Sequence, residues 1–169
     1  LYDLAFLVMD LWHRHQRAAA NRLMNRYCDA TGEAAGLALL PFLVAVRAAV
    51  RAHVTAAAGG AAEAGAYLDL ARTALASASP VLVAVGGLSG SGKSTLAAKL
   101  APLLGPLPGA RILSSDRLRK ARFGVAPTER LGPEAYRPEM SIAVYAQMRE
   151  SAARVLAAGQ AVIADAVHA

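Results

Sequence analysis

Gly87, Gly92, Lys93 and Ser94 fall at the spacing G-x-x-x-x-G-K-[ST], and that spacing serves a definite chemistry. A glycine-rich loop turning from a strand into a helix gathers backbone N–H groups into one concavity. The helix aims its positive end at the same point. Gly90 and Gly92 let the chain bend and approach a phosphate with no Cβ in the way. Lys93 can reach the β- and γ-phosphates of a nucleotide, and the Ser94 hydroxyl can ligate Mg²⁺. Thr95 offers one more hydroxyl at the helix start. The expected phosphate-binding segment is therefore Gly87, Leu88, Ser89, Gly90, Ser91, Gly92, Lys93, Ser94 and Thr95.

A Gly/Ser run can also be a plain linker carrying a solvated lysine. The flanks decide against that. Residues 81–85 are an apolar run, and Leu96, Ala97 and Leu100 follow at helical spacing, which is the strand–loop–helix setting the motif requires.

Two acids stand where such a loop would use them. Asp116 follows a second apolar stretch in Ser114-Ser115-Asp116-Arg117-Leu118-Arg119, and Asp165 ends a third in Val162-Ile163-Ala164-Asp165. In open α/β sheets, ligands bind outside the carboxyl ends of the strands, so parallel strands would put both acids at the mouth of the loop. Phosphoryl transfer needs a phosphate cradle, a metal, a base for the acceptor hydroxyl and positive charge on the transferring group. Asp165 is the candidate for holding Mg²⁺ or its waters, beside Ser94. Asp116 is the candidate base, and it would equally serve as a cap on the helix that follows it. Arg119, three residues on, is the candidate grip on phosphate or acceptor, while Arg117, Lys120 and Arg122 read as a solvated face.

The elements that must position these residues can be read from period and punctuation. Residues 1–17 carry Leu4, Leu7, Val8, Leu11 and Trp12 on one helical face. Residues 18–30 predict a second helix, stopped by Thr31-Gly32, with Leu23, Met24 and Tyr27 inward. A third is expected over 35–57, with Pro41 in its first turn or at a kink, and a fourth over 61–76 with Tyr67, Leu68, Leu70, Ala71 and Leu75. Then the period changes: strand 81–85, helix 93–103, strand 110–114, helix 116–123, a Pro-bearing loop 124–136, helix 138–158 and strand 161–164. The Ala-Ser-Ala-Ser-Pro stretch at 76–80 marks the expected boundary, giving a helical segment 1–78 and an α/β part 79–169. Strands alternating with helices predict a parallel, doubly wound sheet, and apolar first and third strands fit coverage of both faces.

The 169 residues are 56% hydrophobic and 18% charged, which excludes a disordered chain. The net charge of +6 suits anionic partners, yet no basic stripe interleaved with aromatics is present, which argues against a nucleic-acid partner. The longest apolar run, 34–46, is too short to span a bilayer and contains Pro41, so no membrane partner is expected. One cysteine, Cys28, fits a reducing compartment and a cytoplasmic location. His13 and His15 point in different directions on a helix and read, with His53, as solvated. Arg47 and Arg51, four apart, read as a solvated face. The first residue is Leu1 and no closing element follows the last strand, so the chain is expected to be a piece of a longer protein.

The string AVGGLSGSGKST at 84–95, the Ser-Ser-Asp-x-x-Arg segment at 114–119 and the Val-Ile-x-Asp strand at 162–165 together resemble P-loop kinases of the polynucleotide kinase/gluconate kinase type. The resemblance implies an α/β P-loop NTPase fold with an incomplete sheet, ATP as donor with Mg²⁺, Lys93 and Ser94 on phosphates and metal, and Asp116 as base. It also implies the strand order second, third, first. GLSGSGKST likewise resembles the loop of adenylylsulfate kinases, so the loop alone does not choose an acceptor. LYDLAFLVMDLWHR, NRLMNRYCDATG and LLPFLVAVRAAVRAHV resemble the last helices of aminoglycoside-phosphotransferase-like proteins, and the whole resembles bacterial two-part proteins that fuse such a half to a P-loop kinase. The activity this implies is transfer of the γ-phosphoryl group of ATP to a hydroxyl of a small molecule. A nucleotide-operated regulatory module and a nucleic-acid-end kinase are the rival expectations.

Overall fold

The computed structural model describes residues 1–76 and 79–167; Ser77 and Ala78, at the expected boundary, lie outside it. The chain opens with four α-helices, α1 (Tyr2–His13), α2 (Arg17–Thr31), α3 (Leu40–Ala57) and α4 (Ala61–Leu75), with a 3₁₀ turn at Ala35–Leu39 before α3. Their stops are those the chemistry requires. Gly32 takes φ +70° after α2, a left-handed position that glycine adopts without a Cβ clash. Pro41 sits in the first turn of α3, where a missing N–H leaves no bond unmade.

The inner face of α1 runs through Leu4, Ala5, Val8 and Met9, while Leu7 is 57% exposed and Leu11 and Trp12 are half-buried. The expected face is thus rotated toward Ala5 and Met9, and α2 and α3 are the helices that pack most on α1. Leu68 and Leu75 of α4 are likewise exposed, and Tyr67, Leu70 and Ala74 carry its contacts. Alanines let α3 and α4 approach closely, and the buried Leu40, Val44 and Leu70 each add roughly 1.5–3 kcal/mol.

Two residues read as solvated, His13 and Arg47, are half-buried and join helices, while Arg51 is exposed as expected and still reaches a neighbouring helix. His13 stacks on Tyr67 with ring centroids 3.9 Å apart. The Arg47 guanidinium lies 3.2 Å from the centre of the Phe6 ring and donates to the Tyr2 hydroxyl at 3.1 Å. Arg51 donates to the Tyr67 hydroxyl at 3.5 Å. Cation–π contacts of this kind tie long basic side chains to aromatic faces, and they exist here because α1, α3 and α4 pack side by side. The turn and α3 together, Ala35–Ala57, form a 23-residue helical stretch long and apolar enough by length and composition to cross a membrane. It is longer than the apolar run alone suggested, and its Leu40, Val44, Ala48 and Ala52 face the protein core.

The α/β part consists of β1 (Leu82–Gly86), α5 (Lys93–Leu100), β2 (Arg111–Ser114), α6 (Ser115–Arg122), α7 (Pro138–Ala157) and β3 (Val162–Ala166). The expected helix 93–103 ends as a 3₁₀ turn at Ala101–Leu103, and another 3₁₀ turn at Pro133–Tyr136 interrupts the expected loop. The three strands are parallel in the order β1-β3-β2. Moving from β1 out to β2 and back to β3 reverses direction. Right-handed crossovers then put α5 and α7 on opposite faces, the doubly wound arrangement. Side chains alternate accordingly: Ile112 and Ile163 pack with Ala97 and Ala101 on the α5 face, while Leu113, Val162, Ala164 and Ala166 pack with Met148, Ala152 and Val155 of α7.

β2 is an edge strand, and α2 lies along it. Asn25 accepts a hydrogen bond from the Ile112 N–H at 2.7 Å and donates to the Ala110 carbonyl at 3.1 Å; Asn21 donates to the same carbonyl at 3.0 Å. The two buried amides stand in for the strand that would otherwise pair this edge, which satisfies its backbone and blocks foreign pairing. Asn25→Leu should therefore destabilise the protein by roughly 2–4 kcal/mol, since each backbone group left buried and unpaired costs about 1–3 kcal/mol. Denaturant unfolding measures this; a change under half a unit would mean that water replaces Asn25 at the edge.

β1 is paired on one side only among the described residues, and Leu82 is 56% exposed. Val162 N–H donates to the Val81 carbonyl, and in a parallel ladder of this register the amides of Val83 and Val85 face β3 while those of Leu82 and Ala84 face the open edge. Hydrogen exchange on the monomer should therefore run faster at Leu82 and Ala84 than at Val83 and Val85, and faster in β1 than in α3. Uniform strong protection of β1 would show that another segment covers this edge.

Candidate functional site

The loop between β1 and α5 is shaped by glycines with positive φ. Gly90 and Gly92 take +78° and +83°, and a Cβ added at either would meet no atom within 4 Å. What demands glycine there is the backbone, and the space left open is what a phosphate needs. At Gly87 the constraint is contact, because a Cβ would lie 2.6 Å from Ser91 Oγ. Lys93, first residue of α5, donates from Nζ to the Leu88 carbonyl at 3.1 Å, so the side chain lies back over its own loop. Ser89, Gly90, Lys93 and Ser94 line a cavity of about 810 Å³; Leu88 and Thr95 are exposed and do not.

Asp165 is one position from the end of β3 and points to the α5 face by the strand's alternation with Ile163. Ser94 Oγ donates to Asp165 Oδ2 at 2.7 Å. Asp165 is 3% exposed and its Oδ1 has no hydrogen-bond partner among the described residues. A buried carboxylate oxygen left unpaired calls for an explanation. A cation beside Ser94 supplies one, since a hydroxyl and a carboxylate are the hard oxygen ligands Mg²⁺ takes. The two residues expected at the metal are thus brought into contact, and their chemistry fits it.

Asp116 stands in the first turn of α6, where an acid is favoured by the helix dipole. Ser114 occupies the cap position and makes no side-chain capping bond. Asp116 is exposed and faces the same cavity as Lys93, Ser94 and Asp165, held by an ion pair with Lys120 at 3.0 Å. Lys120 also donates to the Pro127 carbonyl at 2.7 Å, which anchors the pair to the loop. Arg119 reaches the cavity wall but is buried. Its guanidinium donates to the Ala135 carbonyl and to Ser141 Oγ and stacks 4.9 Å from the Tyr136 ring centre. Its bonds hold the segment entering α7 against α6. Residues not singled out from sequence complete the wall: Tyr136, Ser141 and Tyr145, the last donating to the Val167 carbonyl. No motif carries them, since they arrive from α7 and its approach.

The AAA domain family matches residues 82–169, from the first residue of β1 onward. The chain belongs to this family. Its P-loop is a nucleotide-binding one of the kinase-like kind, and P-loop AAA domains generally bind ATP with Mg²⁺. Among curated proteins, uncharacterized proteins of Mycobacterium bovis and of Mycobacterium tuberculosis are each 34% identical over 173 residues, covering 96% of this chain. The chain spans about a third of the length of these relatives, and the shared region includes the helices ahead of the AAA domain. No solved structure matches. The loop, Asp116, Arg119 and Asp165 all fall within the AAA domain, whereas α1 to α4 precede it.

Proposed function

We propose that this AAA domain belongs to an ATP-dependent kinase that transfers the γ-phosphoryl group to a hydroxyl of a small molecule. The observation that carries this reading is the Ser94–Asp165 contact with the orphaned Oδ1, on a cavity that also holds Lys93 and Asp116. A bound Mg²⁺ at Ser94 and Asp165 would neutralise phosphate charge and fix its geometry. Lys93, with two N–H donors beyond the one given to the Leu88 carbonyl, adds positive charge at the β- and γ-phosphates. Asp116 takes the proton of the acceptor hydroxyl as its oxygen bonds to the γ-phosphorus. The bond from that phosphorus to the β–γ bridging oxygen breaks, and ADP leaves with the electron pair. Arg119 keeps the far wall in place through Ala135 and Ser141.

The likeness of residues 1–78 to the last helices of a phosphotransferase-like domain is part of the same proposal. It is supported by the all-helical run through α4. The free, buried Cys28, whose thiol is pushed up from its ordinary value by burial, suits a cytoplasmic protein. Mg²⁺-dependent ADP release by the full-length protein, measured with and without panels of small hydroxyl compounds, tests the reading. Stimulation by a small acceptor with matching product supports it. Intact nucleotide binding with no stimulated release would favour a regulatory module, and stimulation by 5′-hydroxyl oligonucleotides alone would favour a nucleic-acid-end kinase.

A further inference from the structure

A second cavity, of about 380 Å³, opens beside the first between α2, α5 and the ends of β2 and β3. The two share Ser94, Ser114, Asp116 and Asp165, so they meet over the metal ligands and the candidate base. The wall of the second is supplied by α2, which lies outside the AAA domain match. Asn21 and Asn25 lock the rotation of α2 by their bonds to Ala110 and Ile112, and this turns the next residue of each pair, Arg22 and Arg26, to the cavity. Residues four apart lie one turn from each other, with Cβ atoms about 5–6 Å apart, a spacing that lets two guanidinium forks close on one anion.

Their charge is uncompensated. Both are exposed, and among the described residues neither has a hydrogen-bonding or ionic partner. The acid that could pair with Arg26 one turn away is Asp29. Its two oxygens are already taken, Oδ1 by Arg111 and Oδ2 by Arg117, each at 2.5 Å. Asp116 is paired with Lys120, while Asp165, whose neighbour Ser94 is neutral, keeps its charge at the metal end of the cavity. The cavity therefore offers free positive charge at one end and the transfer machinery at the other.

We propose that Arg22 and Arg26 bind an anionic group, phosphate or carboxylate, on a small-molecule acceptor whose hydroxyl then lies beside Asp116. This rests on the kinase reading and names the acceptor's class. The volume is in the range of small-ligand sites, which favours a small molecule over a polymer. It also gives the helical segment a part in acceptor choice.

The probe is inorganic phosphate, titrated by calorimetry into the full-length protein saturated with Mg²⁺ and a non-hydrolysable ATP analogue, with acetate and a short single-stranded oligonucleotide as parallel arms. Phosphate or acetate should bind saturably, and which of the two binds tells the acceptor's anionic group. The Arg22→Ala/Arg26→Ala double variant should bind it at least about tenfold more weakly, with less loss in the Arg→Lys pair, as expected when a bidentate fork is replaced by a point charge. Nucleotide affinity should not change. Both residues are exposed on a helix that alanine favours, so folding is not at stake. Repeating the titration in Lys93→Ala protein removes the P-loop as a competing phosphate site, so the arginine arm reads even if nucleotide binding fails. Equal anion affinity in the double variant, or anion binding that vanishes with Lys93 alone, overturns the proposal. Tighter, arginine-dependent binding of the oligonucleotide overturns the small-molecule assignment. Absence of nucleotide binding in the unaltered protein instead removes the kinase reading, and is seen separately.

Discussion

Lys93→Ala is expected to weaken nucleotide binding by at least about two orders of magnitude, because hydrogen bonds to charged groups are worth roughly 1.5–3 kcal/mol each and Lys93 can make two, to the β- and γ-phosphates. The fold should be untouched. Lys93 is the first residue of α5, its ammonium reaches only the Leu88 carbonyl among the described residues, and it is not among the core residues. Alanine is also tolerated in a first helical turn. The ammonium spends one of its three N–H donors on the Leu88 carbonyl, which leaves two for phosphate oxygens. Equilibrium titration with ATP, beside a denaturant melt of the same preparation, separates the two effects. Unchanged ATP affinity in a folded variant would remove the P-loop assignment.

What could be read from sequence, and what could not, follows from the range over which each contact acts. The strand, loop and helix around Lys93 are neighbours in the chain, and each carries its own period or glycine, so 81–95 was legible. Asp165 was legible for a related reason: an acid ending an apolar strand in a parallel sheet must sit at the ligand edge, and its meeting with Ser94 follows from the strand order β1-β3-β2. Pro41 and Gly32 were read from backbone sterics alone. By contrast, Asn21 and Asn25 sit in a helix of polar composition and look like surface residues. Their partners lie 85 to 89 positions away, and only the placement of α2 against β2 makes them core. Arg47 and His13 depart from the solvated face expected of them for the same cause, since aromatic rings on other helices pack against them. Leu7 shows the limit of periodicity, which finds a helical face but not the angle at which neighbours close on it.

Asp116→Asn is expected to leave ATP affinity near that of the unaltered protein and to lower phosphoryl transfer by a factor on the order of 10²–10⁴, the usual worth of a positioned general base. The substitution is nearly isosteric. Asparagine keeps an oxygen that can accept from Lys120, so the side chain should stay at the cavity, and what is lost is the negative charge and the capacity to take a proton. Stability should hardly move, because an ion pair four residues apart on a helix contributes only about 0.3–0.5 kcal/mol, Asp116 is on the surface, and asparagine still accepts from the half-buried Lys120. A large kinetic effect with a small thermodynamic one is the signature sought. It separates the base from Lys93, whose loss acts on nucleotide affinity, and from Arg22 and Arg26, whose loss acts on the anion. Lys120→Ala is the companion variant: it releases Asp116 from its anchor but leaves the carboxylate, so transfer should fall by less than with asparagine. Transfer that survives Asp116→Asn intact would reduce Asp116 to an acid in the first turn of α6, favoured there by the helix dipole and by Lys120, and the base would have to be sought elsewhere on the same cavity.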